Sequence, residues 1–438
     1  MDAKTYRKVL SCKACIPETS EMCEAIASIC NSLAASEIPP EITAPMRAVR
    51  IIAISKTDGG IRPIGIGEVI RRAITRTLAK VIKEDVKIAT GSVQCSGLPG
   101  ACEAAIKATE TAYQNGKTIL IMDAQSAFNN LSRSKTLLSA SAHVPDAYQL
   151  FRNFYSAQTT AFYDGKPINI NEGIIQGCGL SSSFYDVGIK PLADTMRDER
   201  VAQIWVCDDL SASGSPEELK KWYKKLKEKG DEYGYLPKPG KCHVVSKDPN
   251  VPRIFKEEVE NGELKISEGA RYLGAPIGTE DFKKIFLKEK IEAHLKKIQK
   301  LTQLAKTSPH SAYFIHQTCT QHELTFLQRI ANLEEFLSEV ELERKKMVEV
   351  LCNKKIIKPR KWNEISLPTR HGGLGINVTS LSEEANAQYS KCEVVSDDLK
   401  KKLINQDHTL PLKPDLKELK KLQEKNMKRK AEEVRDGG

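Results

Sequence analysis

Two apolar runs in this chain end in acid. Ile119-Leu120-Ile121-Met122 leads into Asp123, and Ile204-Trp205-Val206-Cys207 leads into Asp208 and Asp209. Short aliphatic runs of this kind read as buried strands. A carboxylate at the end of a buried strand is costly unless something offsets its charge. Each acid alone has an ordinary explanation, since Asp often caps the turn that follows a strand. Three at strand ends also have the chemistry of a divalent-metal site. Phosphoryl-transfer enzymes hold two Mg²⁺ about 3.5–4 Å apart on shared carboxylates. Mg²⁺ takes a few carboxylates and lets substrate phosphates fill the rest.

The rest of the chain alternates between strand and helix patterns. Residues 1–45 read as a helical lead, with ETSEMCEAIASICNSLAAS at a 3.6 period and Pro39-Pro40 ending it. AVRIIAISKTDGGIRPIGIG, 48–67, places two β-branched runs around Lys56-Thr57-Asp58-Gly59-Gly60, a hairpin signal. A helix with a basic face follows, EVIRRAITRTLAKVIKE, and another spans 101–113. A second hairpin is expected around Asp164-Gly165, a helix at 216–233 with Pro at its start, and a strand and turn at 270–278. From 281 the pattern is mostly helical. Phe282, Ile285, Phe286, Ile291, Leu295, Ile298 and Leu301 form an apolar stripe ringed by Lys. Mixed α and β followed by helices predicts an α+β body with a helical C-terminal module.

Composition bounds the function classes. A chain of 438 residues with 40% hydrophobic and 28% charged residues can build a real core and is not wholly disordered. Its net charge of +10 allows a polyanionic partner without requiring one. No apolar run approaches the roughly 20 residues of a membrane span, so no membrane partner is expected. No secretory leader is evident, which predicts an intracellular protein, nuclear or cytoplasmic, with reduced thiols. Cys12, Cys15, Cys23 and Cys30 could bind zinc. Cys23, Ile26, Cys30 and Leu33 also recur at helical spacing, as apolar positions of one helix would. His316, Cys319 and His322 have the same two readings. KNMKRKAEE, 425–433, reads as a nuclear import signal or as a basic stretch of a soluble tail.

Several motifs now fall in one order. IMDAQSAFNN (121–130), EGIIQGCGLSSSFYDVGIKPL (172–192), VCDD (206–209) and YGYLPKPGKC (233–242) resemble polymerase motifs A, B, C and D. KTDGGIRPIGIGEVIRR (56–72) is similar to a fingers motif, and YLGAPIG (272–278) and SLPTRHGGLGI (366–376) resemble signatures that follow the palm. Together they resemble the reverse transcriptases of retrotransposons and, more distantly, of group II introns, over residues 48–392. The resemblance implies a right-hand polymerase fold: fingers and palm with an antiparallel sheet over 46–280, a helical thumb and following region over 281–400, and a charged, flexible tail over 401–438.

It also implies roles. Asp123, Asp208 and Asp209 would hold two Mg²⁺, with Mn²⁺ able to substitute, and Lys241 would be a proton donor to pyrophosphate. Lys56 and Arg62 would clamp the incoming triphosphate, Arg as a bidentate fork. Phe128, five positions after Asp123, matches the aromatic gate that blocks a ribose 2′-hydroxyl; as a plain residue it would be packing. Gln176 and Gly177 would sit under template and nucleotide, Gly allowing close approach. The implied partners are an RNA or DNA template with its primer, dNTPs, and other element-encoded proteins, since no endonuclease, protease, integrase or complete ribonuclease H constellation is seen. Two departures stand out: Val206-Cys207 in place of an aromatic-Ala pair, and Cys178-Gly179 in place of Asp-Pro. They keep open a catalytically silent protein of the same fold that binds nucleic acid. An RNA-copying RNA polymerase and a splicing maturase are further alternatives. Phe128 opposes the first of these, and the lack of a recognisable maturase extension opposes the second.

Overall fold

The computed structural model describes residues 16–414 apart from 57, 58 and 357, together with scattered positions between 417 and 434. Cys12 and Cys15, the turn residues Thr57 and Asp58, and much of 425–433 lie outside the described residues. The chain divides into two compact units. One comprises 1–101, 115–267 and 402–410; the other comprises 102–114, 268–401 and 411–438. No helix among the described residues is long and apolar enough to cross a membrane.

The first unit contains two sheets. Strands β1 (Val49–Ser55), β2 (Ile61–Gly67), β4 (Thr159–Tyr163) and β5 (Lys166–Ile170) pair in the order β2-β1-β4-β5. Both hairpins expected from the turn residues are present. Asp164 and Gly165 take φ of +49° and +72°, the positive angles that a two-residue turn between twisted strands demands. The second sheet contains β3 (Thr118–Met122), β6 (Ala202–Val206), β7 (Asp209–Gly214), β8 (Cys242–Val245) and β9 (Leu264–Ser267) in the order β6-β7-β3-β8-β9. All of β3 is buried, which explains its unbroken apolar sequence. Helices Ser181–Thr195 and Pro216–Gly230 add Phe184, Val187, Leu192, Leu219, Trp222 and Leu226 to the same core.

The second unit is mainly helical, with the hairpin β10 (Gly269–Tyr272) and β11 (Ala275–Gly278) at its start. Its longest helix, Glu280–Ala305, begins on the Thr279 side chain, which accepts from the Phe282 N–H. The buried face is Leu287, Ile291, His294, Leu295, Ile298 and Leu301. Ile285, placed on the apolar stripe by its spacing, is 61% exposed. Leu287 lies four residues before Ile291 and shares its face, whereas Ile285 lies about 120° around the helix from Ile291.

Three other expectations change. Cys23 is exposed, and only Leu33 of its helical series is fully buried. His316 is buried while Cys319 is exposed, so those side chains do not converge. The tail expected from 401 is folded at its start. The helix Leu381–Ile404 ends with Leu403 buried, and the following residues return to the first unit. There the Ser92 hydroxyl donates to the Asp407 carbonyl at 2.8 Å and the Ser92 N–H to the His408 carbonyl at 3.4 Å.

Candidate active site

The acid-ended runs meet at one end of the five-stranded sheet. Strands β6 and β7 pair with Val206 opposite Asp209, so Cys207-Asp208 is a two-residue hairpin turn. Cys207 supplies the positive angle at φ +57°, a conformation that costs a residue with a side chain about 1–2 kcal/mol. Asp208 therefore stands at the tip and Asp209 opens β7. Strand β3 runs antiparallel to β7 with Met122 opposite Leu210, which brings Asp123 to the same end.

Electrostatics link these groups. Burial pushes the Asp208 carboxyl up from its ordinary value, the Asp123 charge adds to that, and Arg62 opposes it. Asp123 is 40% exposed, with Lys241 Nζ at 3.9 Å from its Oδ2. The segment carrying Lys241 lies against the backbone of 123–125. The Lys238 N–H donates to the Asp123 carbonyl at 2.8 Å and the Gln125 N–H to the Leu236 carbonyl at 2.7 Å.

Beneath the acids lies Tyr235, fully buried, edge-on to Trp205 at 5.1 Å, its hydroxyl donating to the Asp208 carbonyl at 3.3 Å. Burial, then the Cys242 thiol and the three carboxylates, raise its phenol well above the usual value. Its interior position and its carbonyl partner make it a support for the turn.

Phe128 lies in the short helix Ala127–Asn130 that follows Asp123 and stacks on buried Tyr185 at 4.8 Å and 25°. Ile174 N–H donates to the Phe128 carbonyl at 2.7 Å, tying the gate position to the loop of Gln176 and Gly177. The Gln176 carbonyl accepts from the Gly65 N–H at 2.8 Å, and its side chain donates to Asn129 Oδ1 at 3.2 Å. Gly177 holds φ +111°, and a Cβ there would meet the Gly65 carbonyl oxygen at 2.7 Å. Glycine is thus required by backbone approach.

Arg62, exposed on β2, is brought into electrostatic range of Asp208. Lys56 is half-buried at the hairpin turn, its N–H donating to the Gly60 carbonyl at 2.7 Å. Nothing in the described contacts joins Lys56 to the acids.

One of the departures in sequence, Gly179, has a local reason. A Cβ at Gly179 would meet the Arg76 backbone nitrogen at 2.9 Å, so the close pass of helix Val69–Val81 selects glycine there. Cys207 is largely shielded. Burial, then Asp186 and Asp208, hold its thiol protonated, far above the usual range.

The residues that sequence reading missed are those that act through geometry: Tyr235, Tyr185, Asp186 and Gln94. Only Gln94 left a signal, a polar residue inside the apolar run Val93-Gln94-Cys95.

The donor set fits a hard cation held with outside help. No three His, Cys, Asp or Glu side chains among the described residues close around a common point. An open half-site of carboxylates suits Mg²⁺, which keeps waters and phosphates as its other ligands.

A sheet with acids at one end, flanked by a hairpin carrying Arg, defines the class: a polymerase-like palm. The family model described as reverse transcriptase (RNA-dependent DNA polymerase) matches residues 54–277. That is just over half of the chain, and the chain belongs to this family. Its fold class is accordingly the right-hand α+β fold with a helical C-terminal region.

Among solved structures the chain is similar to telomerase from Candida albicans in complex with a fragment of telomeric RNA, at 10% identity and TM-score 0.49, over 87% of this chain and 65% of that one. It is also similar to a truncated apo telomerase from Candida tropicalis, at 12% identity and TM-score 0.41, over 53% of each chain. The chain therefore spans between half and two thirds of those proteins. No curated protein matches it.

Proposed function

We propose that this chain is an RNA-directed DNA polymerase of retroelement origin, acting inside the cell, and that it extends a primer 3′-hydroxyl with dNTPs along an RNA or DNA template. The observation that carries this reading is geometric: the pairing of β6 with β7 and of β7 with β3 brings Asp123, Asp208 and Asp209 to one end of the five-stranded sheet, with Arg62 of the β1–β2 hairpin close enough to act on Asp208.

Asp123 and Asp208, with Asp209 beside them, would hold the divalent metal, which when bound activates the primer hydroxyl and stabilises the leaving pyrophosphate. Arg62 and Lys56 neutralise the triphosphate and orient it. Lys241, near Asp123, is a proton source for the departing pyrophosphate. Phe128, backed by Tyr185, leaves no room beside the sugar for a 2′-hydroxyl. Gln176 and Gly177 present backbone and amide to the nascent pair. The Lys-bearing helix Glu280–Ala305 serves as a thumb along the duplex.

Primer extension by the purified chain on an RNA template, with dNTPs and Mg²⁺, tests this. Wild type should extend, and Asp208→Ala should lose at least about 10²-fold, as when a group that stabilises the transition state is removed. Absence of extension by wild type with duplex binding retained would favour the silent nucleic-acid-binding reading.

A further inference from the structure

The tip that carries Asp208 is held from an unexpected place. Gln94 lies 113 positions earlier in the chain and is 1% exposed. Its Oε1 accepts from the Cys207 N–H at 2.7 Å, and its Nε2 donates to the Cys207 carbonyl at 2.9 Å. One side-chain amide therefore satisfies both backbone groups of the residue that precedes Asp208. These are the groups a sheet neighbour would have used, had the chain continued as strand.

Gln94 is itself fixed. Its backbone forms a parallel bridge to Trp205, and the next N–H, of Cys95, donates to the Trp205 carbonyl at 2.9 Å. Ser96 Oγ donates to Asp186 Oδ2 at 2.5 Å. Asp186 belongs to helix Ser181–Thr195, whose Tyr185 backs Phe128. The Ser96 N–H also reaches Gln94 Oε1 at 3.4 Å. The amide is thus locked between the sheet edge and a core helix before it meets the turn.

The turn needs such a lock. Cys207 sits at φ +57° without being glycine, so the strain there must be offset by surrounding contacts. Breaking both bonds would strand a largely buried N–H and C=O, and an unpaired buried polar group is destabilising. The turn would then relax, and the carboxylate one residue on would move with it.

We infer that Gln94 is a positioning residue for the catalytic centre: its amide sets the Cys207-Asp208 turn so that the Asp208 carboxylate faces Asp123 in the geometry that receives the divalent cation. This rests on the polymerase reading of the site. Groups that orient metal ligands from behind are worth about 10–100-fold in metal affinity.

The test is Mn²⁺ binding to the full chain, followed by electron paramagnetic resonance, for wild type, Gln94→Met, Gln94→Glu and Asp208→Asn. Gln94→Met keeps the volume and loses both bonds. Gln94→Glu keeps the acceptor for the Cys207 N–H and differs by a single group, so it decides the matter if the Met variant fails to unfold cooperatively. Asp208→Asn should abolish the tight Mn²⁺ signal. Gln94→Met should weaken it at least about tenfold and Gln94→Glu to a lesser degree. The Mg²⁺ concentration for half-maximal primer extension should rise in step, at unchanged KM for primer–template. Wild-type Mn²⁺ affinity in both Gln94 variants, beside a loss in Asp208→Asn, would overturn the role of Gln94 and leave the polymerase reading standing. Wild-type affinity in Asp208→Asn would remove the metal site and this inference together.

Discussion

Asp186 shows how far a single side chain can be pushed by its surroundings. Its carboxyl is almost entirely buried, with one oxygen on Ser96 and the other without a partner among the described residues. Burial raises it to about 7, and the Ser96 bond only partly opposes this. The folded state therefore holds a proton that the unfolded chain, with an ordinary Asp, releases near pH 4. Because the folded pKa is the higher one, stability is greatest below about pH 4 for this group and falls as pH rises towards 7. Asp186→Asn should remove that slope. Urea unfolding at pH 5 and pH 8 should show the variant gaining on wild type at pH 8, by up to about 4 kcal/mol, and much less at pH 5. Phe128 makes the complementary prediction for function. Phe128→Ala removes the ring stacked on Tyr185 and opens the space beside the sugar. Ribonucleotide incorporation should rise at least about tenfold relative to deoxynucleotide, a change worth about 1.4 kcal/mol; unchanged sugar selection would remove the gate role.

At the scale of elements, the site is a set of loops held by backbone contact. A Cβ at Gly173, where φ is +73°, would meet the Asn129 carbonyl oxygen at 2.1 Å, and one at Gly234, where φ is +75°, would meet the Asn130 carbonyl oxygen at 1.7 Å. Both glycines let other loops dock on the short helix Ala127–Asn130 that follows Asp123. Gly173→Ala and Gly234→Ala should each cost about 2–3 kcal/mol in chemical denaturation, as backbone clashes with no flexible neighbour do. Elements of this kind divide into those that sequence exposes and those that it hides. The hairpins at Lys56–Gly60 and Asp164-Gly165 were legible, because turn residues between β-branched runs act locally. The acids at 123, 208 and 209 were legible because they break apolar runs. Strands β8 and β9 were not. Four residues each, they pair in parallel only after an excursion through two short helices, too brief for any period to register. Gln94 shows as a polar residue between Val93 and Cys95, but its role stayed hidden for the opposite reason: its value lies wholly in a partner 113 positions away. Ile285 misled because it was grouped with the stripe although strict 3.6 spacing puts it off the face of Leu287, Ile291 and Leu295.

For the whole molecule, the charge balance can be given a location. Lys284, Lys288, Lys296 and Lys300 all point to solvent from helix Glu280–Ala305, whereas Lys283 and Lys297 are engaged by Glu110 and Glu323. If the exposed lysines lie along a duplex, binding should weaken steeply with salt. Changing Lys288, Lys296 and Lys300 together to Ala should reduce the log–log slope by about 2.7, measured by fluorescence anisotropy with a primer–template. A slope equal to that of wild type would mean the helix touches no phosphate. The returning segment 402–410 has a different kind of consequence. The first unit is discontinuous in sequence: Ser92, two residues before Gln94, finds its partners only at Asp407 and His408. On a ribosome, the hairpins and the five-stranded sheet can pair as soon as their own residues emerge. The contact at Ser92 cannot close until more than three hundred further residues have been made. The nascent protein therefore passes through a long interval in which the sheet can exist while the Ser92 turn still waits for its partner.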